Sequence, residues 1–333
     1  MTPSSSAGNV RRETDGTLGA LGEFGLIGRV TAGRVQPTTT LLGPGDDAAV
    51  VAAPDGRVVA TTDVLVETVH FRLDWSTPEQ IGRRAAAANL ADVAAMGAVP
   101  TALLVGLSCP ATTSVATLEA IATGLWAEAQ STGAGVVGGD VTSSAQLVLA
   151  VTALGSLEGR APVTRDGARP GDLVAVRGRL GWAAAGLAVL QRGFRSPAVV
   201  VNAYRVPEPP YAAGPEAARV GATAMIDISD GLLADLGHVA AASGVLIDLH
   251  SPALDVPPRL VDVGAALGTD PRHWLLAGGD DHALAATFPP GVLLPFGWTR
   301  IGAVLSPGTA DPAVLVDGRP CEGGPGGWDH FAG

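Results

Sequence analysis

Seven aspartates lie in short segments of glycine and small apolar residues. A fold of this chain must therefore provide partners for seven carboxylates in apolar surroundings. Charged residues make up only 16% of the 333 residues. A buried carboxylate is costly unless a cation pairs with it, and too few basic residues lie near these segments to pair them all. We therefore predict a fold that brings the carboxylates to metal ions. The seven are Asp46, Asp47, Asp63, Asp92, Asp140, Asp227 and Asp230.

Composition excludes several function classes. A net charge of −11 disfavours nonspecific nucleic-acid binding, which needs a basic surface; the acidity fits either solubility or metal binding. The chain has no lysine, which excludes a P-loop lysine and a Schiff-base lysine, so metal and arginine must neutralise any bound phosphate. Cys109 and Cys321 are the only cysteines and lie far apart, so neither a disulfide framework nor a cysteine-rich zinc site is predicted.

Neither the N-terminus nor the longest uncharged run predicts membrane insertion. Residues 1–17 form a polar arm that lacks the apolar stretch of a signal peptide and is expected to be disordered. Val93–Leu118 is long enough to span a bilayer, but it contains Pro100 and Pro110 and is predicted to be a buried strand between two helices. We expect a cytoplasmic protein with no membrane partner.

Helical and strand patterns alternate along the chain, which predicts an α/β (α+β) fold of two domains. A helix is predicted to start at Thr77-Pro78-Glu79-Gln80, a capping box, and to stop at Gly97. The turn-rich segment after Ala161 suggests a domain junction, with domains at 18–157 and 158–333. Arg195–Glu216, rich in proline, is predicted to be irregular.

The first acidic segments lie around two predicted strands. Asp46 and Asp47 follow Gly-Pro-Gly, and neighbouring residues of an extended chain point to opposite sides, so one is predicted to bind metal and the other to be structural. A plain turn is the alternative for this pair. Asp63 ends the next strand, where Thr61 and Thr62 add hydroxyl and carbonyl oxygens.

The other acidic residues are harder to explain as structure. Asp92 lies in a predicted helix of small apolar residues, with no basic residue three or four positions away. Asp140 follows two glycines, which let the backbone approach a phosphate while the carboxylate meets Mg²⁺. Asp227 and Asp230 flank Ser229 at a strand-to-helix turn; helix capping is the alternative for Asp230 but leaves Asp227 unexplained.

One Mg²⁺ ion is usually bound by only one or two carboxylates, so seven aspartates are more than one ion requires. Several Mg²⁺ ions bound around a nucleoside triphosphate would account for their number. The P-loop and protein-kinase motifs are absent. Four residues are candidates for substrate contacts, and His70, Arg165 and Trp328 each also have a structural alternative. They are His70 and Arg165 for phosphate, Asp280 in a Gly-Gly-Asp turn, and Trp328 for stacking on a heterocycle.

Taken in order, nine segments resemble thiamine-monophosphate kinases over nearly all of the chain from Gly22 onward. The segments are GEFGLIGR, GPGDDAAV, TTDVLVETVHF, NLADVAAMGAVP, GGDVT, TRDGARPGD, DISDGLLADLGH, GGDD and WDHF. The resemblance implies ATP- and Mg²⁺-dependent phosphorylation of thiamine monophosphate to thiamine diphosphate, by direct in-line transfer. It also implies a homodimer whose N-terminal mixed sheets pair, a C-terminal α/β sandwich, and nucleotide held between the two domains.

The resemblance also implies roles for individual residues. It makes Asp47, Asp92, Asp140 and Asp230 the catalytic set. The implied metal ligands are Asp47, Thr61, Thr62, Asp63, Asp92, Asp140, Asp227 and Asp230. The implied ATP contacts are Gly139, Asp140, Arg165 and Ser229, and the implied substrate contacts are His70, Asp280 and Trp328. Two departures are Asp280 and His282, where the family usually has glutamate and tyrosine.

Two other interpretations remain open. Aminoimidazole ribonucleotide synthetase is the nearest enzyme alternative, because the cysteines expected of selenophosphate synthetase and of the hydrogenase-maturation dehydratase are missing at their positions. A nucleotide- or Mg²⁺-binding regulatory protein without turnover is the alternative of a different class.

Overall fold

The computed structural model describes residues 16–45, 48–321 and 327. The chain divides into two compact units, and each unit is built from three separate stretches of the sequence. The first unit comprises Met1–Ala52, Thr62–Ala86 and Thr101–Ala153, and the second comprises Ala53–Thr61, Ala87–Pro100 and Leu154–Gly333. Three candidate residues, Asp46, Asp47 and Trp328, lie outside the described residues.

A four-stranded sheet organises the first unit, and several of its elements begin or end in the second. In order along the sheet the strands are β3, β6, β4 and β5, and β4 and β5 are parallel. A small β1–β2 ribbon accompanies it. The helices are α1 (Leu18–Leu21), α2 (Glu23–Thr31), α3 (Pro78–Ala95) and α4 (Val115–Thr132). The strands are β1 (Thr40–Leu42), β2 (Val50–Val51), β3 (Val59–Val66), β4 (Val99–Cys109), β5 (Gly135–Ser143) and β6 (Val148–Ser156).

A seven-stranded sheet with helices packed against it forms the second unit. Its strand order is β13-β12-β9-β11-β7-β10-β8, and β10 runs antiparallel to both β7 and β8. The strands are β7 (Leu173–Arg177), β8 (Ala224–Ile228), β9 (Leu246–Leu249), β10 (Ala283–Phe288), β11 (Thr299–Leu305), β12 (Ala313–Val316) and β13 (Arg319–Pro320). The helices are α5 (Trp182–Gln191), α6 (Ala198–Arg205), α7 (Ala213–Arg219), α8 (Leu232–Ser243), α9 (Pro258–Leu267) and α10 (Pro271–Ala277), with a 3-10 turn at Ser251–Ala253.

Local sequence signals account for several of these boundaries. At the start of α3, the Thr77 amide donates to Gln80 Oε1 at 2.9 Å and the Gln80 amide donates to Thr77 Oγ1 at 3.3 Å, which confirms the predicted capping box. Val93–Leu118 contains the end of α3, the whole of β4 and the start of α4, so the predicted strand between two helices is confirmed. No helix among the described residues is long and apolar enough to cross a membrane.

The alternation of helices and strands confirms the α/β (α+β) class, but one segment was predicted wrongly. Arg195–Glu216 was expected to be irregular because of its prolines, yet it contains all of α6 and the start of α7. Pro197 directly precedes α6, a position where its missing amide hydrogen costs nothing. The prolines of this segment lie before a helix, between the two helices or, as Pro215 does, in the first turn of α7, where proline is tolerated.

The alanines of α3 have a packing role. Ala94 and Ala95 are buried in one core cluster of the second unit with Ala213 and Ala217 of α7. Small side chains let two helices approach closely, and the same cluster is completed by larger residues such as Phe288 of β10. The C-terminal half of α3, which carries Asp92, is thereby held within the second unit.

Candidate functional site

Two tight turns at the ends of β8 and β10 form the framework of the candidate site. Residues 229–231 follow β8, and residues 278–282 precede β10. The Asp280 amide donates to the Ser229 carbonyl at 2.8 Å, and the His282 amide donates to the Ile228 carbonyl at 2.9 Å. A Cβ on Gly279 would lie 2.2 Å from the Ser229 oxygen, so only glycine allows this approach. The turns are therefore joined backbone to backbone.

The 278–282 turn holds two side chains in an uncommon backbone conformation. Asp280 has φ of 67° and His282 has φ of 51°. Positive φ is unfavourable for residues other than glycine, and such residues concentrate at functional sites because the surrounding structure must enforce them. The hydrogen bonds to β8 provide that enforcement here.

Asp227 receives a partner that sequence reasoning did not identify. It lies in β8, where every residue is buried, and is itself only 4% exposed. His282 Nδ1 lies 3.0 Å from Asp227 Oδ2, and His282 is 7% exposed. Burial lowers the pKa of His282, but the Asp227 hydrogen bond and the charges of Asp227, Asp280 and Asp92 outweigh it, so the pKa is raised above its usual value.

Asp92 and Thr61, both predicted metal ligands, are hydrogen bonded to each other. Thr61 Oγ1 donates to Asp92 Oδ2 at 2.7 Å. Thr61 lies on β3 and Asp92 on the half of α3 that belongs to the second unit, so both residues are in that unit. The negative charge of Asp92 also raises the pKa of His282, which places this helix carboxylate near the two turns.

Asp235 holds the turn that carries Asp230. Asp235 Oδ2 accepts hydrogen bonds from the Asp230 amide at 3.1 Å and the Gly231 amide at 3.0 Å. Burial and the charges of Asp227 and Asp230 raise the pKa of Asp235 to about 7. Gly231 occupies the capping position of α8 and no side chain caps there, so N-capping by Asp230 is not the arrangement observed.

Asp281 anchors the other turn to a helix. Its Oδ1 accepts the Ala183 amide at 2.9 Å at the start of α5, while its buried Oδ2 has no hydrogen-bond partner. Burial raises the pKa of Asp281 to about 7 against the lowering effect of the Ala183 and Gly181 amides. The Asp281 side chain thus anchors the turn to α5 between its sequence neighbours Asp280 and His282.

We define the acidic cluster as Asp92, Asp227, Asp230, Asp235 and Asp280, all in the second unit and linked electrostatically through Asp235 and His282. Within the part of the chain that the structure describes, no three His, Cys, Asp or Glu side chains converge on one point as a complete metal site. Mg²⁺ typically uses one or two carboxylates and completes its shell with waters and phosphate oxygens. Oxygen donors and surplus negative charge therefore fit Mg²⁺ bound together with a phosphate ligand.

Two other candidates of the second unit lie on its surface. Arg165 is exposed, and its carbonyl accepts a hydrogen bond from Ser243 Oγ at 2.9 Å, which fixes the backbone while leaving the guanidinium on the surface. Ser229 is partly buried between β8 and α8, and its carbonyl is used by Asp280. Both positions are accessible to a ligand.

In the first unit, β3 and its following turn carry three more candidates. Alternation along β3 places Thr61 and Asp63 on one face and Thr62 on the other. The Thr62 hydroxyl donates to the Val151 carbonyl at 3.0 Å, so its side chain is engaged within the sheet. His70 Nδ1 accepts the Val66 amide at 3.0 Å, which places the proton of the neutral ring on Nε2.

Gly139 and Asp140 lie on β5 and are both exposed. Gly139 pairs with Val105 of β4, and a Cβ there would lie 2.0 Å from the Val105 carbonyl oxygen. The glycine is thus required by strand pairing, whatever else it contacts. Asp140 follows it with an accessible carboxylate.

Sequence reasoning missed the three supporting residues Asp235, Asp281 and His282. Each had a weak signal: an acidic residue in the first turn of a helix that lacks a capping side chain, and two further polar residues directly after Gly-Gly-Asp. The partners are 4 to 98 positions away in the chain, and the residue types alone do not indicate which partner each side chain meets.

Comparison with known proteins places the chain among relatives that match most of its length. Residues 45–157 match the family model described as AIR synthase related protein, N-terminal domain. The chain is 54% identical over 317 residues to the thiamine-monophosphate kinase of Mycobacterium tuberculosis, covering 95% of this chain and 93% of that protein. It is 44% identical over 280 residues to that of Corynebacterium glutamicum, covering 81% and 83%. Its fold matches the structure of AaThiL complexed with AMPPCP and TMP with a TM-score of 0.77 and 33% identity, covering 93% of this chain and 97% of that one.

Proposed function

The chain belongs to the thiamine-monophosphate kinase family, and we propose that it transfers the γ-phosphoryl group of ATP to thiamine monophosphate, yielding thiamine diphosphate and ADP. The observation that carries the proposal is the identity of 54% over 95% of the chain. The acidic cluster supplies the chemistry: phosphoryl transfer depends on positioning and charge neutralisation and needs no nucleophile from the protein.

Mg²⁺ is the cation that we propose for the acidic cluster. Asp92, Asp227 and Asp230 would hold it there, with Thr61 orienting the Asp92 carboxylate through the 2.7 Å hydrogen bond. Bound by these residues, Mg²⁺ would supply charge neutralisation for the transferred phosphoryl group. The further metal ligands that we propose are Asp47, Thr62, Asp63 and Asp140. Because the Thr62 hydroxyl is engaged with Val151, Thr62 would act through its backbone oxygen.

The nucleotide and substrate contacts are proposed residue by residue. Gly139, Asp140, Arg165 and Ser229 would contact ATP, with the exposed Arg165 guanidinium able to bind a phosphate through two parallel hydrogen bonds. His70 would donate its Nε2 proton to the phosphate of the substrate, because Nδ1 is already occupied by the Val66 amide. Asp280 and Trp328 are the other proposed substrate contacts.

The proposed domain assignment follows the same logic. Residues 18–157 would supply ATP and Mg²⁺ contacts and the dimer surface, and residues 158–333 would supply the remaining nucleotide and substrate contacts. The last segment of the second unit begins at Leu154, close to the proposed boundary. Ala53–Thr61 and Ala87–Pro100 also belong to that unit, which brings Thr61 and Asp92 to the cluster around Asp227.

Homodimerisation is proposed through the exposed face of the four-stranded sheet. Val64 of β3 is 48% exposed and Leu104 of β4 is 37% exposed, and large apolar side chains on an open sheet face favour burial against a partner. A hydrogen bond of 3.1 Å joins the hydroxyls of Thr62 and Thr152, and a Cβ on Gly106 would lie 3.5 Å from that of Ala150. Since alternate residues of a strand share a face, the same face carries Thr62, Val64, Leu104, Gly106, Ala150 and Thr152.

One assay decides the proposed activity. Purified protein with ATP, Mg²⁺ and thiamine monophosphate should form thiamine diphosphate and ADP in equal amounts, measured by chromatography, and EDTA should stop the reaction. Thiamine in place of its monophosphate serves as the substrate control. ATP binding without any thiamine diphosphate would contradict the kinase proposal and favour the regulatory nucleotide-binding protein.

A further inference from the structure

His282 follows the Gly-Gly-Asp-Asp segment directly before β10, and its side chain points inward to Asp227. The contact joins His282 Nδ1 to Asp227 Oδ2 at 3.0 Å, with both side chains more than nine-tenths buried. With a proton on Nδ1, the imidazole donates to the carboxylate at this distance in both its neutral and its protonated form, so one Asp227 oxygen is engaged.

We propose that His282 is a positioning residue that orients the Asp227 carboxylate for metal binding, an inference that rests on the proposed metal role of Asp227. With Oδ2 held by the imidazole, Oδ1 is the oxygen left to bind a cation. Groups that hydrogen bond to a ligating carboxylate limit its rotation, and removing such a group typically weakens metal binding by about 10–100-fold.

The backbone around His282 is built to hold this orientation. Its amide donates to the Ile228 carbonyl at 2.9 Å, directly beside Asp227 in β8. Its φ of 51° turns the side chain back across the β8–β10 pair, where Ala283 lies opposite Ile228 and Leu284 opposite Asp227. Asp281 fixes the preceding position to the start of α5 through the 2.9 Å bond to Ala183. The imidazole thus reaches Asp227 from a fixed point.

Three substitutions separate orientation from mere packing. His282→Asn keeps a hydrogen-bond donor at nearly the position of Nδ1, His282→Gln moves the donor one methylene further, and His282→Leu removes it. Asparagine also tolerates positive φ. His238→Leu, an exposed histidine on α8, is the matched control.

Metal binding is measured on nucleotide-free protein by titration with Mn²⁺, following free Mn²⁺ by electron paramagnetic resonance, with thermal melts in EDTA alongside. We expect the half-saturating Mn²⁺ concentration to rise about 10–100-fold in His282→Leu and His282→Gln and to stay within about threefold of wild type in His282→Asn and His238→Leu. Kinase assays with varied Mg²⁺ should show the same order.

Several outcomes would overturn the inference. Unchanged Mn²⁺ binding in His282→Leu with a lowered melting temperature would assign His282 to stability alone. Equal losses of Mn²⁺ binding in His282→Asn and His282→Gln would show that the position of the hydrogen-bond donor is not the cause. Comparing these two variants tests the inference even if His282→Leu does not fold. If the wild type binds Mn²⁺ only with nucleotide present, the Mg²⁺ requirement of the kinase assay decides, and an equal requirement in wild type and His282→Leu would overturn the inference. If Mn²⁺ binding by the wild type and its variants follows the expected order but the wild type forms no thiamine diphosphate, the proposed function is overturned and this inference stands.

Discussion

Asp280, Asp281 and His282 are consecutive in the chain, yet their side chains have three different environments. Asp280 is partly buried in a positive-φ conformation, Asp281 is buried against the start of α5, and His282 is hydrogen bonded to Asp227. A turn in which each successive residue is separately anchored has little freedom to rearrange. Substitutions within it are therefore expected to have distinct effects that can be measured separately.

Asp92 provides the most direct test of the acidic cluster at the scale of one residue. Asp92→Asn keeps an oxygen that can accept the Thr61 hydroxyl but removes the negative charge. We expect kcat/KM to fall by at least about 100-fold, because a neutral amide is a poor Mg²⁺ ligand, while the melting temperature changes by only a few degrees. Asp262→Asn on α9, an exposed aspartate, is the control and should be active. Near-wild-type turnover by a folded Asp92→Asn protein would remove Asp92 from the site.

Asp281 predicts a specific dependence of stability on pH. Its pKa rises from 3.8 to about 7 in the folded protein, so its stabilising contribution is full below pH 3.8 and is lost as pH rises through about 7. The asparagine of the Asp281→Asn variant cannot ionise, so the variant does not lose this unfolding free energy as pH rises. Between pH 4 and pH 8 the wild type should lose up to about 4 kcal/mol of unfolding free energy relative to the variant, at about 1.4 kcal/mol per pKa unit.

The measurement is urea unfolding of both proteins in EDTA at several pH values, with Asp262→Asn as control. A difference between wild type and Asp281→Asn that is constant with pH, or that changes in the opposite direction, would show that folding does not raise the pKa of Asp281.

At the scale of elements, the start of α8 depends on a residue inside the helix. Asp235 accepts the amides of Asp230 and Gly231, doing from within the first turn what a capping residue does from outside. The turn that carries Asp230 is thereby tied to α8, and through Asp280 and Ser229 to the turn before β10.

Asp235→Ala should therefore destabilise the protein and loosen the Asp230 turn. The buried Gly231 amide and the partly buried Asp230 amide would lose their acceptor, at up to about 1–3 kcal/mol each, whereas Asp235→Asn keeps an acceptor and should stay within about 1 kcal/mol of wild type. Urea unfolding at pH 4 in EDTA, where Asp235 is protonated in the folded protein and asparagine is its nearest neutral counterpart, checks this order. Equal stability of the Ala and Asn variants would mean that Asp235 does not support the turn.

At the scale of the whole molecule, the exposed sheet face predicts the oligomeric state. Light scattering should give the wild type about twice the chain mass of 33.3 kDa, and the double substitution Val64→Asp with Leu104→Asp should give a monomer because it places charges on the proposed surface. Val261→Asp, at a valine of α9 that is also exposed, is the control and should remain dimeric. A monomeric wild type would contradict the proposal.

Much of the architecture was predictable because its signals are local. The capping box at Thr77 and the strand-to-helix turn around Ser229 depend on residues a few positions apart. The helices within Arg195–Glu216 were not predictable, because proline in that segment marks helix boundaries and sequence alone does not distinguish a boundary from a break.

The sequence by itself determined that seven carboxylates stand in apolar segments with too few basic residues nearby to pair them all, and that the chain resembles a family of kinases. Only the tertiary structure decided which carboxylates meet. It placed Asp92 beside Thr61, and it placed Asp227 beside His282 and close to Asp230. The physical reason is distance along the chain: Thr61 and Asp92 are 31 positions apart and Asp227 and His282 are 55 apart, so packing of α3 and pairing of β8 with β10 bring them together.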